Sequence, residues 1–256
     1  MFGLHGAGGG RGAVATGCVV VALVGLAGCG GGDDGSDKGR ADRSPTASRP
    51  AATAARGDGL TEAQLTAVAL TDGERAGTLT ASEYTLDGPL GDAYTADPAV
   101  CQPLVSLAGD VSDHDPVAQV QRKADKPEEM LGVTVDVTLR SYGDGEAEKV
   151  MDSLDRAGRE CAGGLTEERA VARARYEKVE PAALPSFAGE ADEAKAFRFT
   201  VLDVKGKLKL YEYLTVLRSG STTLAFRGEI LGTEDIGGVP QDVMAAQWKK
   251  FRAGKV

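Results

Sequence analysis

The chain has 256 residues, of which 42% are hydrophobic and 26% charged, and its formal net charge is −9. The first 59 residues hold six of the 29 basic and five of the 38 acidic residues, so residues 60–256 are about ten charges negative. A negative field opposes binding to phosphate backbones and anionic lipid surfaces. The composition therefore excludes nucleic acid and such surfaces as partners of this part of the chain.

An apolar segment lies near the N-terminus. One charge, Arg11, precedes an apolar run over residues 13–28, which ends in small residues before Cys29. As a helix this run is about 24 Å long, shorter than a bilayer core of about 30 Å, so a permanent membrane span is not expected. The order of parts is typical of an export signal over residues 1–28.

The sequence Leu26-Ala27-Gly28-Cys29 resembles the recognition site of bacterial lipoprotein signals. This resemblance implies cleavage between Gly28 and Cys29 and acylation of the Cys29 thiol with chains such as palmitate. Two acyl chains anchor a protein stably, because each buried methylene contributes about 0.8 kcal/mol. The expected location is the outer face of the cytoplasmic membrane. The alternative is a secretory leader whose Cys29 stays unmodified.

Residues 29–59 are predicted to form a disordered tether after the lipidated cysteine. They are rich in Gly, Asp, Ser, Ala, Thr and Pro and contain almost no large apolar side chain. Such a segment does not bury enough surface to order itself, and its root-mean-square span is about 30 Å. Residues 60–256 are then long enough for a single folded domain.

The cysteine count predicts a disulfide. Cys18 lies within the apolar run and would leave with the leader, and acylation would occupy Cys29, so Cys101 and Cys161 remain in an oxidising compartment. Their bridge would close a loop of about sixty residues and contribute about 4 kcal/mol. The alternative, a redox-active or metal-binding pair, lacks Cys-x-x-Cys spacing.

Four segments carry helix signals. Thr61 and Gln64 form a capping box that predicts a helix over 62–70, with Leu60 and Leu65 as its hydrophobic staple. Asp97 and Pro98 are typical of an N-cap and first turn, for a short helix interrupted at Pro103 and ending near residue 109. Apolar residues at helical spacing predict a helix over 147–161 with Cys161 facing inward. The last helix follows residue 240 and places three residues in the core, namely Met244, Trp248 and Phe251.

Strand signals occupy much of the remaining sequence. Alternation over 133–140 is the clearest, and strands are also predicted over 196–204, 208–218 and 222–230, the last two joined as a hairpin. Weaker signals cover 117–124 and 169–179. Strands joined by short turns favour an antiparallel sheet, so the expected fold class is α+β, with three or four helices packed on one sheet in a single domain.

Catalytic signals are sparse after the leader. His114 is the one histidine there, in an acidic loop over 110–116 that favours a solvated turn over a divalent-cation site. Adjacent carboxylates at 128–129, 167–168 and 192–193 favour solvated charge over glycoside chemistry, which needs separation across a cleft. Four tyrosines are assigned to no site: Tyr84, Tyr94, Tyr142 and Tyr176. No enzyme activity, cofactor or metal is expected.

Three segments carry a wider resemblance: Leu60-Thr61-Glu62-Ala63-Gln64-Leu65, Cys101-Gln102-Pro103-Leu104 and Arg159-Glu160-Cys161-Ala162-Gly163-Gly164. They resemble actinobacterial cell-surface lipoproteins and, more remotely, the extracellular sensor domain of PknH-type kinases. The resemblance implies an antiparallel sheet with packed helices and a groove for a small ligand. The chain departs from the kinase pattern, which has two bridges and a kinase domain.

Three functions are consistent with these patterns. The first is a non-catalytic extracytoplasmic domain that binds or senses a small molecule, a cell-wall fragment or an envelope protein. The second is a structural or assembly lipoprotein without a small ligand. The third is a carboxylate-dependent cell-wall hydrolase. A deep apolar groove would favour the first over the second, which needs only a convex surface.

Overall fold

A computed structural model describes residues 59–84, 94–108, 113–126, 132–169, 172–230 and 232–254. The leader, Cys29 and nearly all of the predicted tether lie outside these residues, so the predictions on them stay predictions. The described α-helices are α1 (Glu62–Val68), α2 (Gln102–Ser106), α3 (Glu146–Glu160) and α4 (Gln241–Ala253). None of these helices has the length and apolar character needed to cross a bilayer.

Ten strands form one sheet in the described residues: β1 (Arg75–Ala76), β2 (Leu79–Ser82), β3 (Thr95–Asp97), β4 (Ala118–Asp125), β5 (Val133–Ser141), β6 (Leu165–Arg169), β7 (Ala172–Pro181), β8 (Glu193–Leu202), β9 (Lys209–Ser219) and β10 (Thr222–Ile230). Their order is β1-β2-β4-β5-β10-β9-β8-β7-β6-β3, and neighbouring strands are antiparallel. The expected fold, an α+β domain with an antiparallel sheet and four helices, is confirmed.

Both faces of the sheet are covered. On β10, Leu224 and Phe226 pack in one apolar cluster with α1 and α4, whereas Ala225 packs in the other with α2 and α3. Adjacent strand residues point to opposite faces, so the two helix pairs lie on opposite sides of the sheet. The predicted core residues of α4 are buried, with Trp248 3% exposed and Phe251 fully buried.

Local capping signals correctly predicted the start of α1. The Thr61 hydroxyl accepts a hydrogen bond from the Gln64 amide, and the Gln64 side chain accepts one from the Thr61 amide. Leu65 is fully buried, and Leu60 packs against the same cluster. The helix ends at Val68, two residues before the predicted end, because the backbone at Ala69 is extended.

The predicted helix start at Asp97 and Pro98 is wrong. Asp97 ends strand β3, where it pairs with Thr166 of β6, and a 3-10 turn over Ala99–Cys101 follows Pro98. Pro103 does not interrupt a helix, because it lies in the first turn of α2, where no intrahelical amide donor is needed. Helix α2 ends at Ser106, before the predicted end.

The strand predictions hold with shifted ends. Strands β4, β5, β9 and β10 lie within a residue or two of their predicted bounds, whereas β8 begins three residues before the predicted start. The segment predicted as one strand over 169–179 belongs to two, the end of β6 and most of β7. Short strands β1, β2 and β3 were not predicted, because two to four residues carry too little alternation.

The disulfide predicted between Cys101 and Cys161 is present, with a Cα–Cα distance of 5.9 Å. Both cysteines are almost completely buried, and Cys161 faces the core at the end of α3 as predicted. The bridge ties the chain just before α2 to the C-terminal end of α3, two elements that pack on the same face of the sheet.

Candidate ligand-binding groove

A groove forms where strand β8 extends beyond its neighbour β7. The last register pair between these strands is Pro181 with Phe197, and one further backbone bond joins the Ala182 amide to the Ala196 carbonyl at 2.9 Å. The chain then leaves the sheet, while β8 continues back to Glu193 paired with β9 alone. The unequal strand lengths leave a gap beside the C-terminal half of α3.

This apolar groove has a volume of about 380 Å³. Most of its lining is apolar: Gly158, Ala162, Val179, Pro181, Ala182, Leu184, Ala194, Ala196 and Phe197. Three charged residues complete the lining, namely Asp155, Arg159 and Lys195. A concave, mostly apolar site with few polar groups, within about 300–1,000 Å³, is the usual form of a small-molecule site.

Helix α3 presents a regular stripe to the groove. Asp155, Gly158 and Arg159 lie on one face of the helix, and Ala162 follows two residues after the helix ends. At Gly158 a Cβ atom would lie 2.3 Å from the ring of Phe197. Because Gly158 has no side chain, the Phe197 ring lies directly against the helix and becomes part of the groove wall.

The charged residues of the groove form a small ion-pair cluster. The Lys195 ammonium lies 2.7 Å from one carboxylate oxygen of Asp155, and Arg159 contacts the other. Two cations thus share one anion, which leaves a formal charge of +1 among the lining residues. The ammonium has three donors and the guanidinium five, so both keep donors that Asp155 does not use.

A second cleft, which is polar and has a volume of about 700 Å³, adjoins the apolar groove. Asp155 and Arg159 line both sites. His114 lies in this cleft, half-buried, with its Nε2 atom 3.4 Å from the hydroxyl of Ser153. That hydroxyl lies 2.5 Å from the backbone carbonyl of Lys149, to which it donates. Because its one proton is used there, Ser153 is not arranged as a nucleophile activated by His114.

Metal ligation is not supported in the described part of the chain, where no group of three or more His, Cys, Asp and Glu side chains is arranged around a common point. His114 lies in a bend of the acidic loop, close to Ser153 of α3, and Asp113 beside it is exposed.

A buried charged network lies on the sheet face that α2 and α3 cover. It consists of Glu167, Arg169, Tyr176, Glu212, Arg227 and Glu229. At its centre one guanidinium nitrogen of Arg227 lies 2.9 Å from Glu212 and 2.8 Å from Glu229. A second nitrogen donates to the backbone carbonyl of Ala108 at 3.3 Å.

One hydroxyl connects the two halves of this network. The Tyr176 oxygen lies 2.9 Å from Glu167 and 3.1 Å from Glu212, yet it carries a single proton. Burial, together with nearby Glu229 and Glu167, raises the pKa of Glu212 against the opposing effect of Arg227. With one proton, the Tyr176 hydroxyl donates to only one of these two carboxylates at a time.

The adjacent carboxylates considered for glycoside hydrolysis, where the structure describes them, either point to opposite faces of the sheet or lie close to an arginine side chain. Glu167 is 1% exposed, and its two oxygens accept from Arg169 and Tyr176. Glu168, its neighbour on strand β6, points the other way and pairs with an exposed arginine. Asp192 and Glu193 lie near the same guanidinium, that of Arg218. The pair at 128–129 lies outside the described residues.

The tyrosines do not line the apolar groove. Tyr94, Tyr142 and Tyr176 are each less than 10% exposed, and the hydroxyl of Tyr84 bonds to Asp136. The family resemblance implied a groove, but sequence reasoning predicted neither its residues nor the charged network, because both depend on strand register. Arg227 alternates with Leu224 and Phe226, a pattern typical of an exposed face, and the second helix layer covers that face.

Comparison with known proteins gives a remote structural likeness. No family model matches the sequence, and no curated protein matches it. The chain is similar to the extracellular domain of PknH from Mycobacterium tuberculosis, with a TM-score of 0.49 and 11% identity over 77% of this chain and 97% of that one. It is also similar to a putative uncharacterized protein of Mycobacterium smegmatis, an Rv0999 ortholog, with a TM-score of 0.31 and 15% identity over 69% and 83%. Both are remote structural similarities, and no ligand or residue role is transferred by them.

Proposed function

We propose that this chain is a lipid-anchored extracytoplasmic lipoprotein whose folded domain binds a small ligand without catalysing a reaction. The observation that carries the binding function is the apolar groove beside α3. A structural lipoprotein needs no concave apolar site, whereas this one has a volume and lining typical of ligand pockets.

The absence of catalysis is supported by how the polar groups are used. General acids, bases and nucleophiles need a free position next to the reacting atom. Ser153 donates to a backbone carbonyl, and Glu167 is buried with both oxygens engaged. These contacts favour a binding domain over a carboxylate-dependent hydrolase.

The lipid anchor and the location are supported by the leader sequence and by the disulfide. A bridge between Cys101 and Cys161 is stable in an oxidising compartment, the environment that an exported domain meets. Mass spectrometry of the native protein is expected to find Cys29 as the N-terminal residue, carrying acyl chains. Replacement Cys29→Ala is expected to release the protein from membranes, and an unprocessed, unacylated protein in the cytosol would contradict the proposal.

Binding is tested by screening wall fragments, lipids and small metabolites against the full chain and a blocked variant. Ala162 is exposed at the end of α3 and lines the groove, so Ala162→Trp is expected to fill it without disturbing the core. The matched control is Ala253→Trp, at an exposed position on α4 on the opposite side of the sheet. A ligand that the control binds and Ala162→Trp does not would support the proposal. Peptidoglycan hydrolysis by the purified protein would refute it.

A further inference from the structure

We infer that the apolar groove takes a single-chain carboxylate amphiphile, a fatty acid, with its alkyl chain along the groove and its carboxylate at Lys195 and Arg159. The inference rests on the proposed binding function and adds the chemical class of the ligand.

The lining of the groove fits a linear apolar chain. The walls are built of small aliphatic side chains, the Phe197 ring and the ring of Pro181, so dispersion contacts and removal of water are the main attractions they offer. All of the charge among the lining residues belongs to Asp155, Arg159 and Lys195, which contact one another. A ligand that is apolar along most of its length and charged at one place matches this division.

The sign and size of the charge favour a monoanion. The cluster of Asp155, Arg159 and Lys195 carries a formal +1 on a domain that is about ten charges negative elsewhere. Both cations are partly exposed, with Arg159 67% and Lys195 29% accessible, so their unused donors can reach a bound group. One carboxylate neutralises the excess charge, and a guanidinium binds its two oxygens in a bidentate manner. A doubly charged head group would leave the site negative.

The experiment measures binding of saturated fatty acids to the full chain by calorimetry, below their micelle concentrations. The chain carries Cys29→Ser, so that no acyl group of its own competes. Each added methylene is expected to lower Kd about fourfold until the groove is filled. The methyl ester of dodecanoic acid, which keeps the chain and removes the charge, is expected to bind at least tenfold more weakly than dodecanoate.

Matched variants locate the site. Lys195→Gln and Arg159→Gln are each expected to raise the Kd for dodecanoate about tenfold. Lys149→Gln removes the same charge from an exposed position on α3, about 15 Å along the helix from Arg159. It is expected to leave the Kd for dodecanoate unchanged. Ala162→Trp is expected to abolish binding, whereas Ala253→Trp keeps it.

The outcomes separate this inference from the proposed function. Equal binding of dodecanoate and its methyl ester, or binding that Ala162→Trp does not affect, would overturn the assignment of a carboxylate amphiphile. If no fatty acid binds but another compound or an extended peptide competes at the groove, the inference fails and the proposed function stands. If no ligand of any class binds in a manner that Ala162→Trp blocks, both fail.

Discussion

Replacing Arg227 by Met tests whether the charged network acts as one unit. The Arg227 side chain is 6% exposed and pairs with Glu212 and Glu229, which are 20% and 40% exposed. Removing one partner of a buried ion pair costs about 3–5 kcal/mol, because the remaining charge is left buried. Partial exposure of the two glutamates places the expected loss for Arg227→Met at the lower end, about 3 kcal/mol.

The double variant Arg227→Met with Glu212→Gln is expected to lose only about 1 kcal/mol, since it leaves no orphaned carboxylate at position 212. Glu212→Gln alone is expected to change stability by less than about 1 kcal/mol, because Arg227 keeps Glu229 as a partner. Coupling of about 2 kcal/mol between the two substitutions would therefore be measured. Arg173→Met on strand β7 is the control, because that arginine forms an exposed pair, and no measurable loss is expected.

The pH dependence of the free energy of unfolding has a definite sign. Burial raises the pKa of Glu212 in the folded protein above the ordinary pKa of a glutamate. The contribution of Glu212 to stability is therefore fully present at pH values below that ordinary pKa. The contribution is lost as pH rises through the folded pKa. Arg227→Met removes the main opposing charge and raises this pKa further, so the variant loses more stability at pH 7 than at pH 5. Glu212→Gln is expected to remove the difference.

Urea unfolding followed by fluorescence measures these free energies, since the chain has one tryptophan, Trp248, which is buried in the core. A loss below about 1 kcal/mol for Arg227→Met, or strict additivity in the double variant, would refute the coupled network. Equal losses at pH 5 and pH 7 would refute the assigned direction of the Glu212 pKa.

Three further substitutions test the disulfide, the cap of α1 and the close packing at Gly158. Changing both Cys101 and Cys161 to Ser is expected to cost about 4 kcal/mol and to make unfolding insensitive to reductants, measured by urea titration with and without dithiothreitol. Thr61→Ala is expected to cost about 1 kcal/mol through the lost cap of α1, whereas Thr61→Ser keeps the hydroxyl and the stability; a similar loss for both would contradict the capping role. Gly158→Ala is expected to cost about 1–3 kcal/mol, because its Cβ would overlap the aromatic ring of the groove wall. Gly163→Ala has open space around it and serves as the control, and equal melting temperatures for the two would contradict the close packing.

The sequence predicted features whose causes are local. The capping box at Thr61 and Gln64 uses residues three apart, and the hairpin of β9 and β10 uses a short turn. Both therefore appear in the chain as recognisable patterns. The failed prediction at Asp97 has the complementary cause. Asp-Pro is typical of a helix start in isolation, but pairing of β3 with β6, about seventy residues later, holds Asp97 in a strand instead.

The residues of the candidate site could not be predicted from the sequence, because the register and the unequal lengths of paired strands bring them together. The apolar groove exists because β8 is longer than the part of it that β7 covers, and no sequence signal reports where a neighbouring strand ends. The charged network has the same origin. Glu167, Tyr176, Glu212 and Arg227 come from four strands spread over sixty residues, and only the strand order places them together.

The disulfide stabilises one wall of the candidate site, and it is stable only in an oxidising compartment. Cys161 ends α3, the next residue lines the groove, and the backbone carbonyl of Ala162 accepts a hydrogen bond from Val179 across the groove wall at 3.3 Å. The bridge to Cys101 thus fixes the end of the helix that forms one wall. Because such a bridge persists where thiols are oxidised, we expect the groove to keep its shape in an oxidising compartment, the kind proposed for this domain.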